Sequence, residues 1–388
     1  MNFGIVCEFN PFHAGHAYLL DSARALGASN IICAMSGNAV QRGELALFDK
    51  YKRAELAVRR GADLVLELPY PYSAASAEYF ATAGIRILAP LCDAVIFGSE
   101  CGNIELLKEA ARLSLSADFL AEFEAKKRAG EGAASAYFSL IQRHTGAELS
   151  SNDILGVEYI KAAEKCSAEL EFFTVKRQGS AYRDSNISDG DIPSASAIRR
   201  AFFEGDEGKI LRLDKELFEM LTELRERGEI TDASTLERAV LTYFRLAEPS
   251  EISGYAECDG GVAERICAAA YGSTDIKEFL EAVKTKRYTD AKLRRAMLFA
   301  MTRVSRELLL SPPDYTCLLA ASREGRALLA ANKKSSEGGI KIITKPADSP
   351  HQSEQFKADE RLNSLFTLAS KSAFSTGDAY RKNAFIIK

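Results

Sequence analysis

Phe3-Gly4-Ile5-Val6-Cys7-Glu8-Phe9-Asn10-Pro11-Phe12-His13-Ala14-Gly15-His16-Ala17-Tyr18-Leu19-Leu20 opens the chain and decides its fold. Phe3–Cys7 is apolar without polar alternation, which predicts a buried strand. Asn10-Pro11-Phe12 predicts a turn, and Tyr18, Leu19, Leu20 and Ala23 recur at helical spacing, which predicts a helix over Gly15–Leu26. His13 and His16 therefore sit at a helix N-terminus, where free N–H groups and the helix dipole attract phosphate. Gly15 lets a bulky ligand approach the backbone. Two imidazoles there can donate hydrogen bonds to a phosphate as charge builds on it. A His-x-x-His pair also occurs on surfaces and as half of a metal site. The chain has only four His, however, and supplies no third ligand nearby and no His-Glu-x-x-His, so no metal site is expected.

Working outward, the first hundred residues alternate apolar runs with helical patterns. Strands are expected at Phe3–Cys7, Asn30–Ala34, Asp63–Leu66 and Ala94–Phe97, and helices at Gly15–Leu26, Lys50–Arg60 and Ala77–Leu88. Strands of this kind, separated by helices, argue for a parallel sheet covered on both faces, with ligands beyond the carboxyl ends of its strands. The His pair follows the first strand and Gly98-Ser99-Glu100 the fourth, so both fall on that edge. Helical pattern continues over 104–145, broken at Gly130-Glu131-Gly132, and Ser151-Asn152-Asp153 reads as the cap of a further helix. A strand at Leu170–Val175, a polar loop at 178–192 and a helix at Ala197–Phe203 complete an α/β, Rossmann-like parallel-sheet domain over residues 1–204. Residues 205–388 read as a mostly helical region. Ser335–Gly339 separates off a short strand at Ile340–Thr344 and a last helix near Glu360–Ser370.

The 388 residues allow two or three domains with real cores, and 47% hydrophobic with 27% charged residues is ordinary for a soluble globular chain. Fifty basic against 54 acidic residues, a net charge of −4, give no global attraction to nucleic acid or to an acidic membrane, so any RNA site must be a local patch. The eight Cys form no Cys-x-x-Cys, which fits buried thiols in a reducing cytoplasm. No leader-like segment and no membrane span are expected.

Pro193-Ser194-Ala195-Ser196-Ala197-Ile198-Arg199 is a second phosphate-type element: small hydroxyl residues open a helix, and Arg199 follows within its first turn or so. An ordinary capped helix with a surface Arg has the same appearance. Together with His13-Ala14-Gly15-His16, the element resembles the signature of the HIGH-motif nucleotidyltransferase superfamily, whose members resemble class I aminoacyl-tRNA synthetase catalytic domains. Pro193, Ala195 and Ala197 depart from its Ile-Ser-Ser-Thr-x-Ile-Arg-like pattern, which keeps the backbone role and removes some hydroxyl contacts. Further stretches make the chain similar to the bacterial tRNA(Met) cytidine acetate ligases: Gly4–His16, Met35–Glu44, Gly61–Pro69, Phe97–Glu100, Ser151–Tyr159 and Lys284–Thr289, in order.

The resemblance implies that ATP and acetate give acetyl-adenylate and pyrophosphate, and that the acetyl group passes to the wobble cytidine of elongator tRNA(Met). It implies an ATP site of Ile5, Val6, Cys7, Glu8, Phe9, Asn10, Pro11, Phe12, His13, Ala14, Gly15, His16, Ala17 and Tyr18 with Gly98, Asn152 and Arg177, to which the second motif adds Ser194 and Ser196. Acetate is already a nucleophile, so the protein should position and neutralise charge rather than act as a base. His13, His16 and Arg199 are the candidate catalytic residues, with magnesium carried mainly by the ATP phosphates.

Met35–Glu44 has the make-up of a loop that closes on substrate, with Arg42 a candidate for acetate or phosphate, though a flexible surface turn reads the same. Asp63 and Glu67 read as structural. Lys284, Lys286, Arg287, Lys292, Arg294 and Arg295 fall between 284 and 295 against the single acid Asp290. With Tyr288 available to stack, Lys284, Lys286, Arg287 and Tyr288 are the candidate tRNA contacts. A solvated charged helix face is the alternative. Two other functions share these motifs: adenylylation of a small phosphate ester, and RNA binding with a relic ATP pocket.

Overall fold

In the computed structural model, which describes residues 1–177, 193–285, 287–332, 340–372, 375, 377 and 381–387, the predicted first strand becomes an interior strand of one large sheet. Its strands are β1 (Asn2–Cys7), β2 (Asn30–Ser36), β5 (Leu64–Leu68), β6 (Ala94–Ser99), β7 (Glu171–Lys176), β8 (Tyr315–Ala321), β9 (Lys341–Ile343) and β10 (Phe385–Ile386), while β3 (Ala39–Val40) and β4 (Glu44–Leu45) form a small separate hairpin. The order across the sheet is β10-β8-β5-β2-β1-β6-β7, with β9 beside β8. All these pairings are parallel except β5 with β8.

Parallel register aligns Cys7 with Met35, Ser36 with Leu68, and Ser99 with Lys176. The carboxyl ends of β1, β2, β5, β6 and β7 therefore share one edge. Both faces are buried, and the strands alternate between two cores. Val6, Ile32, Leu64, Leu66, Val95 and Phe97 pack under α3 (Ala77–Leu88), α4 (Ile104–Ser114) and α7 (Ser151–Lys165). Phe3, Ile5, Ile31, Cys33, Val65 and Ile96 pack under α1 (Ala14–Ala25), α2 (Lys50–Arg59) and α8 (Ala195–Glu204). Helix α7 lies hard against β6 because Gly156 has no side chain: a Cβ there would meet Phe97 Cε2 at 2.3 Å.

The pattern over 104–145 resolves into α4, α5 (Ala117–Arg128) and α6 (Ala133–Thr145), with the break where the glycines predict it. Beyond α8 the chain is helical through α9 (Glu207–Leu213), α10 (Lys215–Glu226), α11 (Glu237–Leu246), α12 (Pro249–Ile252), α13 (Val262–Gly272), α14 (Ile276–Val283), α15 (Asp290–Thr302) and α16 (Arg306–Leu310). Helices α11, α13, α14 and α15 enclose a third core around Phe244, Ile266 and Phe279.

The expectation of a mostly helical region from 205 onward holds as far as α16. Residues 315–321 then return to the sheet as β8, followed by α17 (Arg323–Asn332), β9, α18 (Glu354–Leu368) and β10. Every residue of β8 is buried, and a short apolar run with no period of its own does not distinguish a central strand from a buried helix. Helix α18 starts at Glu354, earlier than the expected Glu360, because Ser353 caps it by accepting from Phe356 N. The expected loop at 178–192 and separator at 335–339 lie outside the described residues. All eight Cys are free, and among the described residues no helix is long and apolar enough to cross a membrane.

Candidate functional site

The two imidazoles cap α1 reciprocally. His13 has extended backbone, φ −147° and ψ 174°, and its Nδ1 accepts from Gly15 N at 3.0 Å, while His16 Nδ1 accepts from His13 N at 3.2 Å. A neutral imidazole that accepts at Nδ1 carries its proton on Nε2. Both rings thus keep an N–H donor on the edge opposite the backbone. The rings lie 3.8 Å apart at 30°, and Phe9 and Phe12 pack on His16 at 4.8 and 5.5 Å.

Burial, then the charge of Arg177, pushes the His13 pKa down to about 3. Burial, then His13 and Arg177, holds His16 well below its usual range. Both are neutral donors at physiological pH. This is a cradle for an anion whose charge is not already neutralised by imidazolium.

Arg199 reaches the loop before this helix, while Gly98, Glu100 and Arg177 gather at the carboxyl ends of β6 and β7. Arg199, one and a half turns into α8, donates from Nη1 to Asn10 O at 2.7 Å and from Nη2 to Ser196 Oγ at 3.4 Å. Ser194 caps α8, accepting from Ala197 N at 3.2 Å. Gly98 ends β6 beside Arg177, whose Cγ a Cβ on Gly98 would approach to 3.2 Å. Glu100 accepts from Asn152 Nδ2 at 2.5 Å, pairs with Arg177 Nε at 3.5 Å and also accepts from Ser150 Oγ.

The expected cap at Ser151-Asn152-Asp153 shifts by one residue. Ser150 is the N-cap and Asp153 its capping-box partner, which leaves Asn152 inside the first turn with its amide turned to Glu100. Ser-Asn-Asp offers a cap at any of its positions, and Ser150 adds one more.

Met35–Glu44 is not a solvent turn. Residues 35–40 are buried, and Ala39 and Val40 pair with Leu45 and Glu44 in the β3–β4 hairpin. Its tip, Gly43 at φ +72°, lies directly on α15: a Cβ there would sit 2.5 Å from Arg295 N. Glu8 Oε1 accepts from Gln41 N at 2.8 Å, tying the hairpin to the His loop.

The sequence reasoning missed the support beneath these groups. Arg53 is fully buried, with its pKa lowered to about 10 by burial, and donates to Phe48 O at 3.1 Å, to Glu8 O at 2.6 Å and to Gly37 O. Lys50 Nζ meets Glu67 Oε1 at 2.5 Å and Asp359 Oδ2 at 4.0 Å, all three buried. Nothing in the helical spacing of 50–60 marks Lys50 or Arg53 as interior. Asp63 is structural as expected, accepting from Ile31 N at 2.7 Å and Arg24 Nη2 at 2.6 Å.

The basic run lies elsewhere, before and along α15, and many of its charges are paired. Lys284 pairs with Glu281 at 2.6 Å, Lys292 with Asp259 at 3.6 Å, Arg295 with Glu257 through two contacts at 2.7 and 2.8 Å, and Arg294 with Glu44. Arg287 is exposed and sits over the Tyr288 ring at 5.3 Å, with Lys292 over the same ring at 4.8 Å. Tyr288 OH donates to Gly260 O at 2.7 Å, so the ring is held in place rather than swinging. Lys286 lies outside the described residues. Among the described residues no group of three or more His, Cys, Asp or Glu could hold a metal ion.

Residues 1–380 match the family model described as HIGH Nucleotidyl Transferase. A tRNA(Met) cytidine acetate ligase of Caldanaerobacter subterraneus subsp. tengcongensis is 33% identical over 393 residues, covering 95% of each chain. One of Caldicellulosiruptor bescii is 34% identical over 376 residues, covering 95% of this chain and 94% of that one. The crystal structure of apo Thermotoga maritima TmcAL superposes over the full length of both chains with a TM-score of 0.91 at 29% identity. The same protein bound with alpha-thio ATP gives 0.88 at 28%, also over full length.

Proposed function

The chain belongs to the HIGH nucleotidyl transferase family and, within it, to the tRNA(Met) cytidine acetate ligases, and from that premise we propose that it activates acetate with ATP and acetylates the wobble cytidine of elongator tRNA(Met). The observation that carries the chemistry is the meeting of two neutral Nε2–H donors at the start of α1 with Arg199, which reaches the same loop through Asn10 O. An acetate oxygen attacks the α-phosphorus of ATP, and the bond from that phosphorus to the bridging oxygen breaks, releasing pyrophosphate. The cytidine exocyclic amine then attacks the acetyl carbonyl, AMP leaves, and the amine gives up a proton.

In this reading His13 and His16 donate to the phosphate oxygens, and Arg199 takes charge developing on the leaving pyrophosphate. Residues Ile5–Tyr18, Gly98, Asn152, Arg177, Ser194 and Ser196 form the ATP site. Gly98 gives the nucleoside room at the end of β6, and Glu100 fixes Asn152 and Arg177. Magnesium would arrive on the ATP phosphates. Catalysis belongs to residues 1–204 and RNA binding to the helical part of 205–388, through Lys284, Lys286, Arg287 and Tyr288, and the enzyme works in the cytoplasm.

The test is a mixture of protein, ATP, magnesium, labelled acetate and total tRNA, with the label located afterwards. Label on a cytidine of tRNA(Met), and pyrophosphate release that requires acetate, are the expected results. Release without acetate points instead to adenylylation of another substrate. His16→Ala should lower the rate of adenylate formation roughly 10²–10³-fold with the fold intact, the usual cost of one such donor. A smaller loss removes the imidazole from the chemistry.

A further inference from the structure

Glu44 stands between the two halves of the molecule. One carboxylate oxygen, Oε2, lies 3.7 Å from Arg199 Nη2, and the other, Oε1, accepts from Arg294 Nη1 on α15. The contact is built rather than incidental. Gly43 sets the hairpin tip against the backbone of Arg294 and Arg295, and the Glu257–Arg295 pair, with both side chains only 12% exposed, fixes that turn of α15. Arg199, Glu44 and Arg294 are all partly exposed, at 23, 33 and 40% of their side chains, so phosphate can reach either arginine.

We propose that Glu44 is a positioning residue that makes the triphosphate site and the basic helix α15 compete for one carboxylate, so that nucleotide and RNA oppose each other's binding. The proposal rests on the function proposed above. An RNA phosphate on Arg294 leaves Glu44 wholly to Arg199, and a triphosphate must then displace it. A triphosphate on Arg199 leaves Glu44 wholly to Arg294, which weakens that arginine toward RNA. Loss of pyrophosphate returns Arg199 to Glu44 and frees Arg294. The exchange therefore orders the reaction, with adenylate formed first and RNA bound second. Linkage makes the opposition reciprocal.

The experiment measures the dissociation constant of a non-hydrolysable ATP analogue at fixed ionic strength, with and without saturating unmodified tRNA(Met) transcript and without acetate. Fixed salt matters because RNA binding is itself salt-dependent. For the native protein the transcript should weaken analogue binding roughly five-fold, the lower end of ordinary allosteric coupling. Glu44→Gln, whose amide cannot hold two guanidinium groups by charge, should bring that ratio to about one while still binding both ligands. Arg294→Gln reaches the same contact from α15 and should also bring it to about one, which covers a failure of the first variant to fold. A native ratio of one, or an undiminished ratio in a folded variant, overturns the proposal. Acetate-dependent pyrophosphate release by the native protein is scored separately, and its absence overturns the functional reading instead.

Discussion

His13 shows how one residue's environment fixes both its chemistry and the pH dependence of its contribution. The unfolded ring titrates near 6.5 and the folded one about 3, because burial disfavours the cation. The unfolded state therefore binds the extra proton as pH falls. The stability contributed by the neutral ring is fully present above about 6.5 and is lost progressively as pH falls toward the folded value. Between pH 7.5 and 5 the loss is about 2 kcal/mol for this ring alone. Asn at the same position can still cap α1 but does not titrate. The stability advantage of the native protein over His13→Asn, measured by urea unfolding, should thus shrink by about 2 kcal/mol over that interval. A constant difference would mean the ring is not desolvated as described. The same argument predicts no inflection between pH 6 and 8 in the adenylation rate from either imidazole.

At the scale of the element, the β3–β4 hairpin and α8 are the pieces whose placement matters most. Gly43 combines a left-handed backbone, φ +72°, with backbone of α15 where a Cβ would go. Gly43→Ala must strain the turn or lift the hairpin, at a cost of about 1–3 kcal/mol. The expected signature is a lower Tm together with weakened RNA binding, and a native Tm would show the hairpin is not seated on α15. For α8, Ser194→Ala removes the hydroxyl that accepts from Ala197 N and should cost about 1 kcal/mol of stability. Ser196 accepts from Arg199 instead, so Ser196→Ala should leave stability nearly unchanged and act on ATP affinity.

The whole molecule is closed by the segment from Tyr315 onward, which supplies β8 beside β5 and α18 beneath the Lys50–Glu67 pair. Burial raises the Glu67 carboxyl to about 7, against the pull of Lys50, and Asp359 of α18 approaches the same ammonium. Lys50→Met leaves two buried acids facing each other and should destabilise by about 3–5 kcal/mol, and Lys50→Met with Glu67→Gln should recover part of it. A fragment ending at residue 310 bares the apolar edge of β5 and loses Asp359. It should aggregate or unfold without cooperativity, seen in thermal melts. Cooperative melting of that fragment would make the sheet independent of β8.

The strand–turn–helix opening, the alternation that makes a parallel sheet, and the placement of His13, His16, Gly98 and Arg199 were legible in the chain, because local periodicity and helix-start chemistry are written in neighbouring residues. It took the folded chain to show that β8 inserts antiparallel beside β5, that Lys50 and Arg53 are interior cations, and that Glu44 joins Arg199 to Arg294. Those facts depend on contacts between residues far apart in the chain, and on burial that no local spacing encodes.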